Sequence, residues 1–346
     1  MQKRVLVAMS GGVDSSVAAL LLQRQGYEVA GATFELFDGC SEDNTGDARR
    51  VCERLGIPHF VFDYRERFSK GVLDYFIHGY QNGETPNPCI ACNKTIKFGA
   101  FSEDAERLGF DFISTGHYAG VRFDRQSGQF WLLRSQQERK DQSYVLYHLS
   151  QEQLSRLLLP IDRYSKAEVR EIAAQAGLPV FSKSDSQDIC FVPDGDYAGF
   201  ITRYTGEIPQ EGDYLDDNGT VIGRHKGVLY YTIGQRRGLG IALGVKRTVS
   251  HLDPVSNTVT LSDDSAVYTD RLFADDLRMT DDSTPERPFP CTAKIRYAHR
   301  PASATVHPLG NGSVQVQFAQ PQRAVTKGQA VVFYEGDRVL GGATIR

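Results

Sequence analysis

The sequence predicts an α/β protein: a doubly wound domain on a parallel sheet, then a small central domain, then a C-terminal β-barrel. Three features point there. Short apolar runs alternate with helical segments through the first third of the chain. A glycine-rich turn, Ser10-Gly-Gly-Val-Asp-Ser-Ser, joins the first such pair. After about Val192 helical periodicity fades, and glycines separate short β-branched runs. The boundaries expected from this are 1–195, 196–268 and 269–346.

Lys3 to Met9 reads as a buried strand, and the helix after Ser10 carries Val17, Leu20, Leu21 and Leu22 up to Gly26. Glu28 to Phe34 reads as a second strand, Asp47 to Leu55 as a helix stopped by Gly56 and Pro58, and His59 to Phe62 as a third strand. Helix Lys97 to Leu108 and strand Phe112 to Ser114 repeat the pattern. Ser165 with Glu168 forms a capping-box pattern at the head of a helix that Gly177 ends. Gly312 to Phe318, Gln329 to Tyr334 and Arg338 to Ile345 read as barrel strands. In a doubly wound sheet the ligand sits at the carboxyl ends of the strands. Ser10, Phe34 and Gly116 would all lie there.

The 346 residues have an ordinary globular composition and a formal net charge of −4. No apolar run approaches the roughly 20 residues that span a bilayer. The start, MQKRVLVAMSGG, lacks a signal-peptide core. A cytoplasmic protein with no membrane partner is expected. Charge is segregated: Val221 to Ser250 holds Arg224, Lys226, Arg236, Arg237, Lys246 and Arg247 with no acid, and Asp263 to Asp282 is rich in aspartate. The basic stretch is a candidate track for nucleic-acid phosphates or a solvated face.

The turn at Ser10 follows a strand and opens a helix, so its backbone N–H groups can crowd an anion at a helix N-terminus. Ser10, Ser15 and Ser16 offer hydroxyls. No lysine is present, which excludes the Walker loop. The pattern SGGVDS resembles the pyrophosphate-binding PP-loop of the N-type ATP pyrophosphatases, which cleave ATP between the α- and β-phosphates and leave AMP on a substrate oxygen. Asp14 could help hold Mg²⁺ or could cap the helix.

Six cysteines occur, Cys40, Cys52, Cys89, Cys92, Cys190 and Cys291. Cys89 and Cys92 form a C-x-x-C within Thr85-Pro-Asn-Pro-Cys-Ile-Ala-Cys-Asn, and the following helix would place its N-terminus near Cys92 and lower its thiol pKa. Cys40, Cys52 and Cys291 match no motif and read as small apolar residues. Taken in order, SGGVDSS, TPNPCIACNKTIKF, STGHYA, KDQSYVLY, SKSDSQDICF and YTIGQRRGLGI resemble the tRNA-specific 2-thiouridylases, and the likeness runs through most of the chain.

That resemblance implies an enzyme that adenylates C2 of a wobble uridine (position 34) in tRNA and replaces its oxygen with sulfur, releasing AMP and pyrophosphate. It implies ATP on Ala8, Met9, Ser10, Gly11, Gly12, Val13, Asp14 and Ser15, with Phe34 and Gly116 near adenine and ribose, and Mg²⁺ as companion. Cys92 would be the nucleophile and Cys190 the persulfide carrier, charged by a cysteine desulfurase or a sulfur-relay protein. Asn87, Pro88, Cys89, His117, Lys140, Asp141, Gln142, Arg296, Tyr297 and Gln329 would meet tRNA. His117 could instead be a packed histidine, and Lys140-Asp-Gln a solvated charged loop. Some family members carry aspartate at the position of Cys89. Its replacement by a thiol leaves two routes open: a persulfide route through Cys92 and Cys190, or an iron–sulfur cluster on Cys89, Cys92 and Cys190. An ATP-dependent ligase with another substrate is a further alternative.

Overall fold

The chain is represented by a computed structural model that describes residues 2–37, 42–183 and 189–346. Cys40 and the whole Ser-Asp-Ser-Gln-Asp run, residues 184–188, lie outside the described residues.

The first sheet holds five parallel strands in the order β3-β2-β1-β4-β7, where β1 is Arg4–Ala8, β2 Glu28–Glu35, β3 His59–Asp63, β4 Phe112–Ser114 and β7 Leu157–Leu158. Apolar residues run without a break along β1 because both of its faces are covered. Val5 and Val7 point into a core with helix α1 (Val13–Arg24) and helix α8 (Lys166–Gln175). Leu6 points the other way, into a core with Phe68, Phe76 and Phe101. Helices on both faces are what the strand–helix alternation predicts. Helix α2, Glu42–Leu55, closes on β2 at Gly31, where a Cβ would lie 2.5 Å from Cys52 Sγ and 2.6 Å from Met9 Sδ.

Two long helical runs cover the opposite face. The first is α3 (Arg65–Phe68), a π-helical segment Ser69–Leu73 and α4 (Asp74–Gln81). The second is α5 (Pro88–Cys92), a π-helical segment Asn93–Ala100 and α6 (Phe101–Arg107). The helix expected from Lys97 therefore begins at Pro88. Asn87 caps it, its Oδ1 accepting from Cys89 N and Ile90 N at 3.1 and 3.2 Å, and proline suits the first helical position.

Two elements depart from the sequence reading. A hairpin of β5 (Ala119–Asp124) and β6 (Gln129–Arg134) follows β4 and joins the C-terminal sheet through a bridge at Leu133 and Arg338. After the short helix α7 (Gln151–Ser155), and beyond Val192 where helix was not expected, lies α9 (Tyr197–Thr205), capped by Asp196 and ended by Gly206 at φ +74°. Local caps decided this segment although its neighbours are β-rich.

The central part is a four-stranded sheet, β10-β11-β8-β9, formed by β8 (Gly212–Leu215), β9 (Val221–His225), β10 (Thr248–Asp253) and β11 (Thr258–Ser262). The C-terminal part is a closed six-stranded barrel. Its strands are β12 (Tyr268–Met279), β13 (Phe289–Lys294), β14 (Ala302–Gly310), β15 (Ser313–Arg323), β16 (Ala330–Glu335) and β17 (Arg338–Ile345). Pairing of β12 with β17 closes it, and the barrel has no open edge between those strands.

Candidate active site

The glycine turn lies at the carboxyl end of β1. Gly11 takes φ +70°, and Gly12 occupies the N-cap of α1. Its hydroxyls do not act alike. Ser16 Oγ is buried and donates to Gly12 O at 2.8 Å. Ser15 Oγ accepts from Ser10 N and donates to Gly12 O, each at 3.3 Å. Both serines thus brace the turn, and Ser10, exposed, is the hydroxyl that faces outward. Met9 and Val13 are buried beneath the turn and Ala8 is half-buried. Phe34 ends β2 with its ring on Phe101 and Tyr64, centroids 4.9 and 5.3 Å away.

Asp14 makes no capping bond. Lys166 Nζ donates to both of its carboxylate oxygens at 2.8 Å, and the Tyr118 hydroxyl donates to Oδ1 at 2.8 Å. Three donor contacts thus meet its two oxygens, and the cation beside Asp14 in this structure is Lys166.

The segment 115–118 ties this turn to the cysteine helix. A Cβ on Gly116 would lie 2.7 Å from Ser15 N and 2.9 Å from Asp14 C, so β4 can back onto the head of α1 only with glycine here. One residue on, His117 is buried. Lys97 Nζ lies 3.5 Å from His117 Nε2, and Thr115 Oγ1 lies 2.7 Å from Nδ1. An ammonium can only donate, so Nε2 accepts and Nδ1 carries the proton toward Thr115. Burial, then Lys97, then His148 hold the imidazole well below its ordinary pKa, which keeps it neutral. Both ring nitrogens of His117 are thus engaged, Nε2 toward Lys97 and Nδ1 toward Thr115.

Cys89 and Cys92 sit in the first and second turns of the helix begun by Asn87. The expected lowering of the Cys92 thiol is corrected. The helix N-terminus lies at Cys89, not Cys92, and burial raises both thiols while Lys97 opposes the rise. Cys89 nevertheless meets solvent, and Cys92 is half-buried. Cys92 is not in a disulfide. Cys190 is exposed, and its neighbour Phe191 packs on Phe68 and Phe76, in the helical layer that carries Cys92.

The barrel leans on the approach to the cysteines. Gln329 Nε2 donates to Thr85 O at 2.8 Å, and Thr85 N donates to Lys327 O at 2.8 Å. Tyr75 OH donates to Gly328 O at 3.3 Å. Pro88 is buried and Asn87 spends its carbonyl oxygen on the cap. Arg296 donates to Arg323 O at 3.0 Å, and Tyr297 stands exposed beside Cys89 and Asp141, whose charges act on its hydroxyl.

Lys140-Asp-Gln divides into three environments. Lys140 is exposed. Asp141, expected to touch tRNA, is buried and accepts from Ser135 N and Ser143 N at 3.1 Å and from Ser143 Oγ at 3.0 Å. It anchors a turn, since a buried carboxylate must be satisfied. Gln142 accepts from Tyr118 N at 2.9 Å and so steadies the tyrosine that holds Asp14.

The basic central stretch is largely neutralised. Arg224 pairs with Asp213 and Arg247 with Asp263, each at 3.0 Å, and Arg236 faces Asp264 at 3.7 Å. Lys226 lies over the Tyr230 ring, 4.1 Å from its centroid. Arg237 and Lys246 remain as outward charges.

Among the described residues no three His, Cys, Asp or Glu side chains gather as a metal-binding set, Cys89, Cys92 and Cys190 included. Cys52, pushed up to about 11, packs against Met9, and the thiol of Cys291 is pushed up to about 12 by burial. No helix of the described residues is long and apolar enough to cross a membrane. Sequence reading missed Lys97, Lys166 and Tyr118; the lysine after the Ser165 cap and the tyrosine of GHYA were the available signals.

Family models match three consecutive segments: a tRNA methyl transferase HUP domain over residues 3–194, a tRNA methyl transferase PRC-barrel domain over 198–263, and an aminomethyltransferase β-barrel domain over 269–345. The chain is 47% identical over 355 residues to the tRNA-specific 2-thiouridylase MnmA of Clostridioides difficile, covering 100% of this chain and 98% of the relative. It is 49% identical over 357 residues to the protein of the same name from Carboxydothermus hydrogenoformans, covering 99% and 98%. Among solved structures, the U34-tRNA thiolase NcsA from Methanococcus maripaludis, with its 4Fe–4S cluster, matches 59% of this chain and 66% of its own at 17% identity and a TM-score of 0.35. That likeness is too distant to bear on the chemistry.

Proposed function

The chain belongs to the tRNA-specific 2-thiouridylase family, and on that premise we propose that it activates C2 of uridine 34 in tRNA with ATP and replaces the oxygen with sulfur. The observation that carries this is the four-residue link 115–118. Gly116 backs the ATP turn, Tyr118 holds Asp14, and His117 holds Lys97 beside the two thiols. This link supports a reading in which adenylation and thiol chemistry occur side by side. The matched HUP-domain model carries a methyltransferase description, but a glycine turn at a helix N-terminus together with a pair of free thiols suits phosphate activation and sulfur transfer.

A urea-like C2 carbonyl is a poor electrophile. Attack of its oxygen on the α-phosphorus of ATP expels pyrophosphate and leaves an O-adenylated uridine. The N–H groups of Gly11 to Val13 and the hydroxyl of Ser10 hold the phosphates. Mg²⁺ would neutralise phosphate charge, held mainly by the nucleotide. The terminal sulfur of a Cys190 persulfide then attacks C2 and AMP leaves. The Cys92 thiolate attacks the Cys190 sulfur, which releases 2-thiouridine and forms a Cys92–Cys190 disulfide. An external dithiol reduces it for the next turnover. Exposure of Cys190 suits charging by a cysteine desulfurase or a sulfur-relay protein, and we take the reaction to be cytoplasmic, where tRNA is found. The cluster route gains no support from the placement of the three cysteines and is not carried further.

The test is nucleoside mass spectrometry of unmodified tRNA incubated with the protein, ATP, Mg²⁺, a cysteine desulfurase and cysteine. ATP-dependent 2-thiouridine at position 34 is expected. AMP release without any thiolated nucleoside, with every sulfur component present, would sink the substrate assignment.

A further inference from the structure

Lys294 ends strand β13, and its side chain is not consumed by the fold. The residue is only 6% exposed, yet among the described residues its Nζ has no hydrogen-bond acceptor and no ion-pair partner. Its nearest polar environment is aromatic: the rings of Tyr144 and Tyr297 lie with centroids 5.7 Å from Nζ. The two rings meet edge to face, 6.2 Å apart. Tyr144 is locked by its hydroxyl on Ala330 O at 2.8 Å. Tyr297 is 41% exposed and forms the open side. Asp141 acts on Lys294 from a distance, but its carboxylate is already spent on Ser135, Ser143 and Arg134.

Burial of an ammonium without an anion is costly, and proteins satisfy such groups with a partner. Here burial depresses the Lys294 ammonium below its ordinary pKa, the direction of an uncompensated cation. An anion could reach it past Tyr297, the exposed ring of the two. The ring pair adjoins the cysteine helix, because Asn93, which follows Cys92, donates from Nδ2 to Val145 O at 3.0 Å, next to Tyr144.

We propose that Lys294 is a binding residue for an anticodon-loop phosphate, reached when the target nucleotide approaches Cys89 and Cys92. A nucleotide whose base reaches the thiols brings its phosphodiesters with it. The adjoining tyrosine faces give unstacked bases a surface on which to rest. This rests on the reading that the substrate is RNA.

The experiment compares wild type, Lys294→Met and Lys294→Arg for tRNA affinity over a range of salt, ATP affinity and thermal stability. The methionine variant should bind tRNA about tenfold or more weakly, as expected for loss of a hydrogen bond to a charged group. The slope of log K against log salt should fall by about one. ATP affinity should hold, and the arginine variant should recover most of the tRNA affinity. Melting at or above the wild-type temperature would support the proposal, because an uncompensated charge has been removed. Unchanged tRNA affinity and slope in Lys294→Met would overturn it. So would a loss of ATP affinity with tRNA binding intact, which would put the nucleotide phosphates at Lys294. If the methionine variant does not fold, Lys294→Gln replaces it under the same criteria. Wild type that binds no tRNA would instead overturn the substrate reading, and the inference with it.

Discussion

Lys166 grips both carboxylate oxygens of Asp14 at 2.8 Å, across 152 residues of chain. The lysine heads α8, next to the Ser165 cap, and the aspartate lies in the first turn of α1 behind the ATP turn. The pair is partly buried, so it is less screened than a surface ion pair. Tyr118 shares Oδ1, and Gln142 steadies Tyr118 from behind. A cation is thus stored at the mouth of the anion site, held on a carboxylate.

Lys166→Ala should lower ATP-dependent pyrophosphate release by about 10- to 100-fold, the scale of one lost charge-assisted hydrogen bond. Release at the wild-type rate would reduce the pair to a structural brace. Asp14→Ala should show a loss of the same order, because each removes the partner of the other.

Gly116→Ala should cost ATP affinity more than it costs the fold elsewhere. The added methyl would meet Ser15 N at 2.7 Å and must push the head of α1 away. Overpacking of this kind costs about 1–3 kcal/mol, and the shift falls on the N–H groups that would face phosphate. Calorimetric titration with an ATP analogue reads it; wild-type affinity would show that the turn can absorb the displacement.

The thiols should react as weak acids with raised pKa values. Because burial raises Cys92 and Lys97 opposes that rise, the thiolate is scarce at neutral pH and grows as pH climbs beyond the ordinary thiol range. Lys97→Met removes the opposing charge and should move the rising limb of Cys92 alkylation to still higher pH. Peptide mass spectrometry after timed iodoacetamide labelling measures this. A shift to lower pH would remove Lys97 from the role assigned to it. The neutral His117 should contribute no inflection near pH 6.5.

Gln329→Ala should raise the KM for tRNA several-fold and leave ATP affinity unchanged. It removes one hydrogen bond, to Thr85 O, worth about 0.5–1.5 kcal/mol. The bond fixes the segment 85–88 that leads into the cysteine helix. Equal effects on ATP and tRNA would point to general unfolding of the barrel contact.

The parallel sheet could be read from the chain because β1 writes its environment into consecutive residues: Val5, Leu6 and Val7 are apolar toward both faces. The ATP turn was legible for the same reason, since its glycines and the N-terminus of α1 are contiguous. The Ser165–Glu168 capping box, a three-residue relationship, is present as read. Local backbone preference and periodicity act within one turn or one strand, and contiguous residues carry them.

Roles that depend on distant partners were not legible. Asp14 reads from its neighbours as a cap or a metal ligand, and nothing near it in sequence points to Lys166, which α8 brings onto it. Asp141 lies in the charged run Lys140-Asp-Gln, yet it is buried on Ser135 and Ser143 while Lys140 stays outside. The basic stretch after Val221 looked like one positive surface until strand pairing set Arg224 against Asp213. The cysteine helix began earlier than its periodicity suggested because Asn87 and Pro88 outweighed the pattern downstream. A side chain's charge is local, but what neutralises it is chosen by packing between segments far apart in sequence, and that pairing exists only once the sheet, the helical layers and the barrel have closed on one another.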